Sequence, residues 1–263
     1  MYDFAYQKPG NLGDALKALS GADAKALAGG MTLIPVLKQR LNKLATVVDL
    51  SGLGLSGISV SGDAVAIGAM TTHAAVAASA DVKRALPALA ALAGGIGDNE
   101  VRHRGTIGGS LANNDPSACY PAAVLALGAT ITTNKRSIAA DSYFKGMFAT
   151  ALEDGEVILS VSFPVPAKAA YVKFKNPASR YAMVGVFVAK GPAGTRVAIT
   201  GAGQGGVFRH GGFEAALAAN WSAAALDGVS TPAGGMNSDI HASAEYRAHL
   251  CGVIAKRAVV AAG

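Results

Sequence analysis

The sequence VRHRGTIGGSLANNDP occupies residues 101–116 and decides how the rest of the chain is interpreted. Gly108, Gly109 and Ser110 offer backbone N–H donors in this stretch, and Thr106, Ser110 and Asn113 add side-chain donors. We predict a glycine-rich polar loop over residues 94–114. A loop of that length is costly to order unless a ligand fills it, so the stretch predicts a site for a pyrophosphate. A surface loop with ordinary turn chemistry is the alternative.

A second pair of glycines lies earlier in the chain, in the sequence AGGMT at residues 28–32. It follows a predicted short strand, 26–28, and precedes a predicted helix, 34–41. Glycines let the backbone bend and turn N–H groups toward an anion, and a helix N-terminus favours negative charge. An ordinary tight turn would explain this motif equally well. One pyrophosphate would explain both Gly-Gly segments together.

The order of predicted elements indicates an α+β protein built from three compact parts. The first is a small α/β unit with a helix from Asn11 to Leu19, capped by Asn11, and a strand at 46–50. The second is larger and opens with paired strands. Its further predicted elements are a helix beginning after Thr71 or Thr72 and ending at 78, a helical stretch 82–93 broken at Pro87, a helix at 121–127, and strands at 130–133 and 157–163. The last part has strands at 171–175, 184–189 and 196–200, then a helix at 242–262.

Charge and cysteine content exclude several classes of protein. The formal net charge is +6, but the basic residues are scattered and form no stripe with interleaved aromatics, which argues against a nucleic-acid binder. Cys119 and Cys251 lie far apart without metal-ligand spacing, so no zinc or iron–sulfur site is expected in this chain. We see no signal peptide and no run of transmembrane length, and therefore expect a cytoplasmic protein without a membrane span.

A third glycine pattern, GAGQGG at residues 201–206, satisfies the GxGxxG spacing of dinucleotide-binding proteins. That fingerprint also needs a helix opening at the third glycine and a βαβ unit around it. The sequence VFRHGG follows instead, and the preceding strand enters through GPAG at 191–194, which indicates a hairpin. We therefore predict a loop at a strand end.

No acid–base apparatus is visible in the sequence. None of the five histidines has an HExxH-type spacing, and no GxSxG elbow or defensible carboxylate pair occurs. A flavin would make such groups unnecessary, because the isoalloxazine performs the redox chemistry while the protein supplies placement and electrostatics.

Five segments resemble a known family in order along nearly the whole chain. They are AGGMTLIP at 28–35, TIGGS at 106–110, IAADSYFKGMF with LEDGEVI between 138 and 158, YVKF with ASRYAMVG between 171 and 185, and DIHASAEYR at 239–247. These segments are similar to those of the FAD-binding medium subunits of molybdenum hydroxylases, such as carbon monoxide and xanthine dehydrogenases. TIGGS is the most specific of them.

The resemblance implies a two-subdomain FAD-binding fold of the vanillyl-alcohol oxidase type, residues 1–55 and 56–168, followed by a C-terminal α+β domain, 169–263. It implies noncovalent FAD in this chain. It also implies a large molybdopterin subunit and a small subunit with two [2Fe–2S] clusters, assembled as a heterotrimer that is commonly doubled. Electrons would pass from the clusters through this FAD to an external acceptor.

The resemblance also implies a set of FAD-binding residues. The residues expected to contact the pyrophosphate and nearby atoms are Ala28, Gly29, Gly30, Met31, Thr32, Thr106, Ile107, Gly108, Gly109, Ser110 and Asn113. Ile158 would meet the flavin through its backbone, while Lys173 and Tyr181 would lie near the ring, with Lys175 a further candidate. Many members carry Asp at the position of Cys119, where it is expected to hold the adenosine ribose. A thiol is a weak hydrogen-bond partner, which puts that contact in doubt.

Two other functions are compatible with these residues. A self-contained flavin oxidase of the vanillyl-alcohol oxidase type needs its own substrate pocket and base, and the short third part leaves little room for them. A binding or assembly protein that kept the fold without the flavin would lack absorbance near 450 nm, an expectation from flavin chemistry.

Overall fold

Three parallel strands form the first sheet of the computed structural model, which describes residues 1–263. The elements of this part are β1 (Ala5–Gln7), α1 (Leu12–Leu19), β2 (Ala24–Leu27), α2 (Leu33–Lys38) and β3 (Thr46–Asp49), with the strand order β1-β3-β2. The side chain of Asn11 accepts the N–H of Asp14, as the predicted cap requires. The helix α2 ends three residues before the predicted position because Arg40 adopts a left-handed backbone, with φ of +57°.

The second sheet has five antiparallel strands and carries most of the helices. Its elements in chain order are β4 (Ile58–Ser61), β5 (Ala64–Gly68), α3 (His73–Ala78), α4 (Ala80–Ala85), α5 (Pro87–Gly94), α6 (Asn99–Arg104), α7 (Ile107–Asn113), α8 (Tyr120–Leu127), β6 (Thr130–Thr133), β7 (Ser137–Ala139), α9 (Ala140–Tyr143), β8 (Phe144–Gly146), β9 (Ala149–Thr150) and β10 (Ile158–Pro164). The strand order is β4-β5-β10-β6-β7, while β8 and β9 form a separate hairpin. The predicted break at Pro87 is confirmed, since Pro87 begins α5.

The prediction of a long loop over residues 94–114 is wrong, because the segment contains α6 and α7. The carboxylate of Asp98 accepts the N–H of Val101, and the hydroxyl of Thr106 accepts the N–H of Gly109. These two caps start two short helices in a sequence that otherwise lacks helix formers. The glycines serve close packing here: a Cβ at Gly108 would lie 2.6 Å from the Cβ of Ala69.

The last sheet is antiparallel and covers two cores. It consists of β11 (Lys168–Lys175), β12 (Ala182–Gly191), β13 (Gly194–Thr200) and β14 (Phe208–Arg209), in that order, with helices α10 (Gly211–Ala219) and α11 (Ala244–Ala262). Phe187 and Ala189 of β12 belong to the core of the second part, whereas Val186 and Val188 pack with α11. Eight consecutive residues of β12, from 182 to 189, are therefore buried.

The glycine pattern at 201–206 lies in a loop after an antiparallel strand. The strands β12 and β13 form the predicted hairpin, and α10 begins at Gly211, after β14. No βαβ unit surrounds the pattern, so the rejection of a dinucleotide fingerprint is confirmed. Across the whole chain, no helix is both long enough and apolar enough to cross a membrane.

A buried carboxylate fixes the segment that leads into β10. The side chain of Glu156 is fully buried and accepts hydrogen bonds from the Thr133 hydroxyl (2.7 Å), the Glu153 N–H (2.8 Å) and the Arg136 guanidinium (3.0 and 3.1 Å). Burial alone would raise the pKa of Glu156, but these hydrogen bonds and the charge of Arg136 lower it to about 2.

Replacing Glu156 with Gln should make the protein less stable at neutral pH and flatten its acid dependence. The pKa of Glu156 is below its unfolded value of 4.5, so the stabilisation is complete above that pH and disappears as pH falls toward 2. We expect the free energy of unfolding at pH 7 to fall by about 1–3 kcal/mol. Urea unfolding at pH 7 and pH 3 measures the effect, with the exposed Glu153→Gln as control. Equal losses at both pH values would contradict the ionic role.

Candidate functional site

The first glycine segment carries a row of unused backbone donors. The N–H groups of residues 29–32 donate to no acceptor within the protein, although Gly30 and Thr32 accept from the first turns of α2 through their carbonyls. Gly30 has φ of +77°, which only glycine adopts readily. Residues 28–30 are half-buried, while Met31 and Thr32 are exposed. Four neighbouring free donors in a partly exposed turn form a cradle suited to an anion.

The second glycine segment does not offer the free backbone donors that its sequence led us to expect. The N–H of Gly108 donates to the carbonyl of Ala69 (2.9 Å), that of Gly109 to the Thr106 hydroxyl (3.1 Å), and that of Ser110 to the Thr106 carbonyl (3.0 Å). The expectation is wrong because the segment is helical and its caps consume these groups. The side chains of Ser110 and Asn113 are half-buried and hydrogen-bond to no protein group, so they are the donors that this segment presents.

The structure brings the two glycine segments into direct contact. A Cβ at Gly29 would lie 2.0 Å from the carbonyl oxygen of Arg104, and one at Gly109 would lie 3.3 Å from the Cβ of Ala28. No side chain larger than hydrogen fits at Gly29 without displacing the backbone. The free donors of the first segment and the polar side chains of the second therefore share one surface, as a single pyrophosphate ligand would require.

His73 supports this surface from below and was missed by the sequence analysis. The backbone N–H of His73 donates to the carbonyl of Gly105 (2.9 Å). The ring nitrogen Nε2 of His73 would lie 2.6 Å from a Cβ added at Gly105. Burial and the nearby charge of Arg102 lower the pKa of His73 to about 4, so the ring is neutral at pH 7. No motif or spacing in the sequence indicates this role.

Asn114 ends the second segment and was also missed. Its backbone is left-handed, with φ of +44°, and its buried side chain donates to the carbonyls of Gly146 (2.8 Å) and Ala149 (2.9 Å). The N–H of Phe148 returns a hydrogen bond to the Asn114 carbonyl (3.1 Å). The side chain thus ties the end of α7 to the hairpin of β8 and β9. Asparagine tolerates this backbone better than most residues.

Cys119 and Lys173 are in direct contact, since the Lys173 ammonium donates to the Cys119 sulfur (3.4 Å). Burial, with the charges of Asp115 and Cys119, raises the pKa of the Tyr181 hydroxyl. Tyr181 is half-exposed, whereas Cys119 is 5% exposed. The residue expected at the adenosine ribose therefore lies beside Lys173, which is expected at the flavin ring. Lys175 is exposed at the end of β11 and contacts none of them by hydrogen bond or ion pair.

Ile158 lies at the start of β10, buried and paired with Thr133. The next residue, Leu159, accepts the N–H of Ala69 (2.9 Å), whose own carbonyl accepts the N–H of Gly108. Two hydrogen bonds therefore connect the Ile158 segment to the second glycine segment. This places the backbone of β10 directly behind the shared surface.

The donor set suits a phosphate-containing ligand rather than a metal ion. It consists of backbone N–H groups, a hydroxyl and an amide, all of which donate to oxygen anions. No three His, Cys, Asp or Glu side chains come close enough together to hold a metal.

Sequence comparison identifies relatives of this chain over its full length. Residues 2–166 match the family model described as the FAD binding domain in molybdopterin dehydrogenase. The carbon monoxide dehydrogenase medium chain of Afipia carboxidovorans is 36% identical, over 97% of this chain and 95% of that one. The nicotine 6-hydroxylase medium subunit of Paenarthrobacter nicotinovorans is 33% identical, over 98% and 96% of the two chains.

Solved structures have the same fold. A chain of reconstituted CO dehydrogenase from Oligotropha carboxidovorans superposes with a TM-score of 0.90 and 33% identity, covering 99% of this chain and 98% of that one. A chain of quinoline 2-oxidoreductase from Pseudomonas putida 86 gives a TM-score of 0.88 and 29% identity, covering 99% and 97%. Both comparisons confirm the α+β fold expected from the resemblance. The chain belongs to the family of FAD-binding medium subunits of molybdenum hydroxylases.

Proposed function

We propose that this chain carries the FAD of a heterotrimeric molybdenum hydroxylase and relays electrons from the [2Fe–2S] clusters of a small subunit to an external acceptor. The single observation that carries the proposal is the contact between the two glycine segments, which joins four free N–H donors to the polar side chains of α7. Bound FAD would supply the redox chemistry. The chain's own residues bind it, orient it and shield it.

The free N–H groups of residues 29–32 and the side chains of Ser110 and Asn113 bind the pyrophosphate in this proposal. Thr106 acts indirectly, because its hydroxyl already accepts the N–H of Gly109. Ile107 and Gly108 are buried and shape the floor of the site rather than donate to the ligand. The backbone of Ile158, at the start of β10, contacts the flavin in this proposal.

Cys119 and Lys173 act at the same end of the FAD, because the Lys173 ammonium donates to the Cys119 sulfur, and we place Tyr181 with them. An extended dinucleotide separates its adenosine ribose from its isoalloxazine, so these residues are not divided between the two groups. We assign these residues to the flavin ring, where Tyr181 offers a half-exposed aromatic face. Residue 119 then has no ribose to hold, and a thiol at this position does not weaken adenosine binding.

The substrate is chosen outside this chain in our proposal. The relatives with nearly equal identity bear the names of enzymes for carbon monoxide and for nicotine. A large molybdopterin subunit would therefore determine the substrate, and the complex would be a dimer of heterotrimers in the cytoplasm. We place the three domains at residues 1–55, 56–168 and 169–263, each built around one main sheet, with the hairpin of β8 and β9 in the second.

A self-contained flavin oxidase is disfavoured by the comparisons and by the structure. The relatives matched over the full length are named as medium chains or medium subunits. Beyond β11–β14, the C-terminal part adds only the helices α10 and α11 and a short 3-10 turn, and it provides no acid–base pair at the glycine surface.

Replacing Gly109 with Asp should abolish FAD binding. The Cβ of the new side chain would lie 3.0 Å from the Thr106 hydroxyl and 3.3 Å from the Cβ of Ala28. Its carboxylate would therefore lie beside the proposed phosphate site. Each lost charge-assisted hydrogen bond is worth about 1.5–3 kcal/mol, so affinity should fall by at least about tenfold. Gly109→Asn has nearly the same shape without charge and should bind FAD more tightly than Gly109→Asp. Flavin fluorescence titration measures both; equal affinities would remove the electrostatic argument.

The FAD should be noncovalent, because none of the histidines or cysteines lies at a position that matches a known flavin linkage. Acid precipitation of the purified protein is expected to release all of the yellow colour into the supernatant. Flavin retained in the pellet would refute this.

The isolated chain should show no hydroxylase activity but should pass electrons from its reduced flavin to a soluble dye. The reason is that it contains no set of side chains able to hold molybdenum or iron. Affinity purification of the tagged chain from its own cells should yield a large and a small partner. Turnover of an organic substrate by the pure chain would instead support the oxidase alternative.

A further inference from the structure

The two cysteines of this chain have very different surroundings. Cys251 is fully buried in α11, where burial raises the pKa of its thiol to about 12. Cys119 immediately precedes α8, and its sulfur accepts from the Lys173 ammonium at 3.4 Å. Reactive cysteines typically lie beside cationic side chains, whereas cysteines in apolar surroundings are inert.

Lys173 has no protein partner other than the Cys119 sulfur. It belongs to none of the ion pairs in the structure, and residues 157–213 contain no Asp or Glu at all. The hydroxyl of Tyr171 is also buried near this sulfur, and burial together with the neighbouring Cys119 raises the pKa of Tyr171. An amine, a thiol and a phenol therefore lie close together, and no ion pair holds the amine away from the sulfur.

We propose that Cys119 and Lys173 form a peroxide-sensitive modification site, in which oxidation of the thiol leads to a reversible sulfur–nitrogen bond between the two side chains. Hydrogen peroxide first oxidises the thiol to a sulfenic acid and is itself reduced to water. The Lys173 ammonium then loses one proton to solvent, and the free amine attacks sulfur as the S–O bond breaks. The departing hydroxide takes a second proton from the nitrogen and leaves as water.

The bond would join two parts of the fold that the backbone connects only through 54 residues. Cys119 lies at the start of α8 in the second part, and Lys173 lies on β11 of the last sheet. The product is a sulfenamide, in which Lys173 has lost its charge. A thiol reductant cleaves it and restores both side chains. Oxidation at this site thus removes the positive charge of Lys173, and reduction restores it. The sulfur–nitrogen bond forms without bound FAD.

Peptide mapping after peroxide treatment tests the proposal on the full chain. Trypsin releases Cys119 in the peptide 105–135, and it normally cuts after Lys173. Modified Lys173 resists cleavage, so the expected product joins 105–135 to 169–175 with the loss of two hydrogen atoms. Cys119 should react on the order of tenfold faster than Cys251, because burial raises the pKa of the Cys251 thiol to about 12 and keeps that thiol inert. Dithiothreitol should return the separate peptides.

Matched variants distinguish reaction of the sulfenic acid with Lys173 from oxidation of Cys119 alone. Lys173→Arg keeps the charge but removes the nucleophilic amine, so Cys119 should then accumulate as a sulfenic acid that dimedone labels. Lys175→Arg and Cys251→Ser should form the bridge as the parent does, and Cys119→Ser should not. The proposal fails if dimedone labels Cys119 equally in the parent and in Lys173→Arg. It also fails if Cys119 and Cys251 oxidise at the same rate. Neither failure bears on FAD binding, which flavin content reports separately.

Discussion

The contact between Gly29 and the carbonyl of Arg104 is the constraint on which the site depends. The backbones approach so closely that a single added carbon would lie 2.0 Å from the carbonyl oxygen. The contact holds the first parallel sheet against the helices of the second part, and the free N–H donors of residues 29–32 lie next to it. Two separately folded segments therefore form one ligand surface only because one position has no side chain.

The two glycine segments use their donors in opposite ways. In α7 the protein consumes the N–H groups of Gly108, Gly109 and Ser110, which makes the segment a rigid helix. In the first segment the donors stay free, so that part retains the capacity to bind an anion. Rigidity on one side and free donors on the other are the two conditions for a pre-organised site. His73, neutral and buried beneath Gly105, contributes only to the rigid side.

The sequence predicts much of this fold and rather less of the site. Most strands, the cap of α1, the break at Pro87 and the hairpin at 191–194 follow from local patterns, because turn and cap chemistry acts within a few residues. The stretch at 94–114 was misassigned, since its glycines indicated a loop while the caps at Asp98 and Thr106 produced helices. Contacts such as Lys173 with Cys119 join residues 54 positions apart, and no local pattern contains that information.

The double burial of β12 explains how such distant residues remain in register. Phe187 and Ala189 pack into the core beneath α8, while Val186 and Val188 pack against α11. Because the strand serves both cores, the last sheet cannot move relative to the second part without exposing one of them. The strand β11 pairs with β12 along its whole length, so the position of Lys173 is fixed by the same packing. The contact between Cys119 and Lys173 is thus held by packing rather than by strong polar contacts.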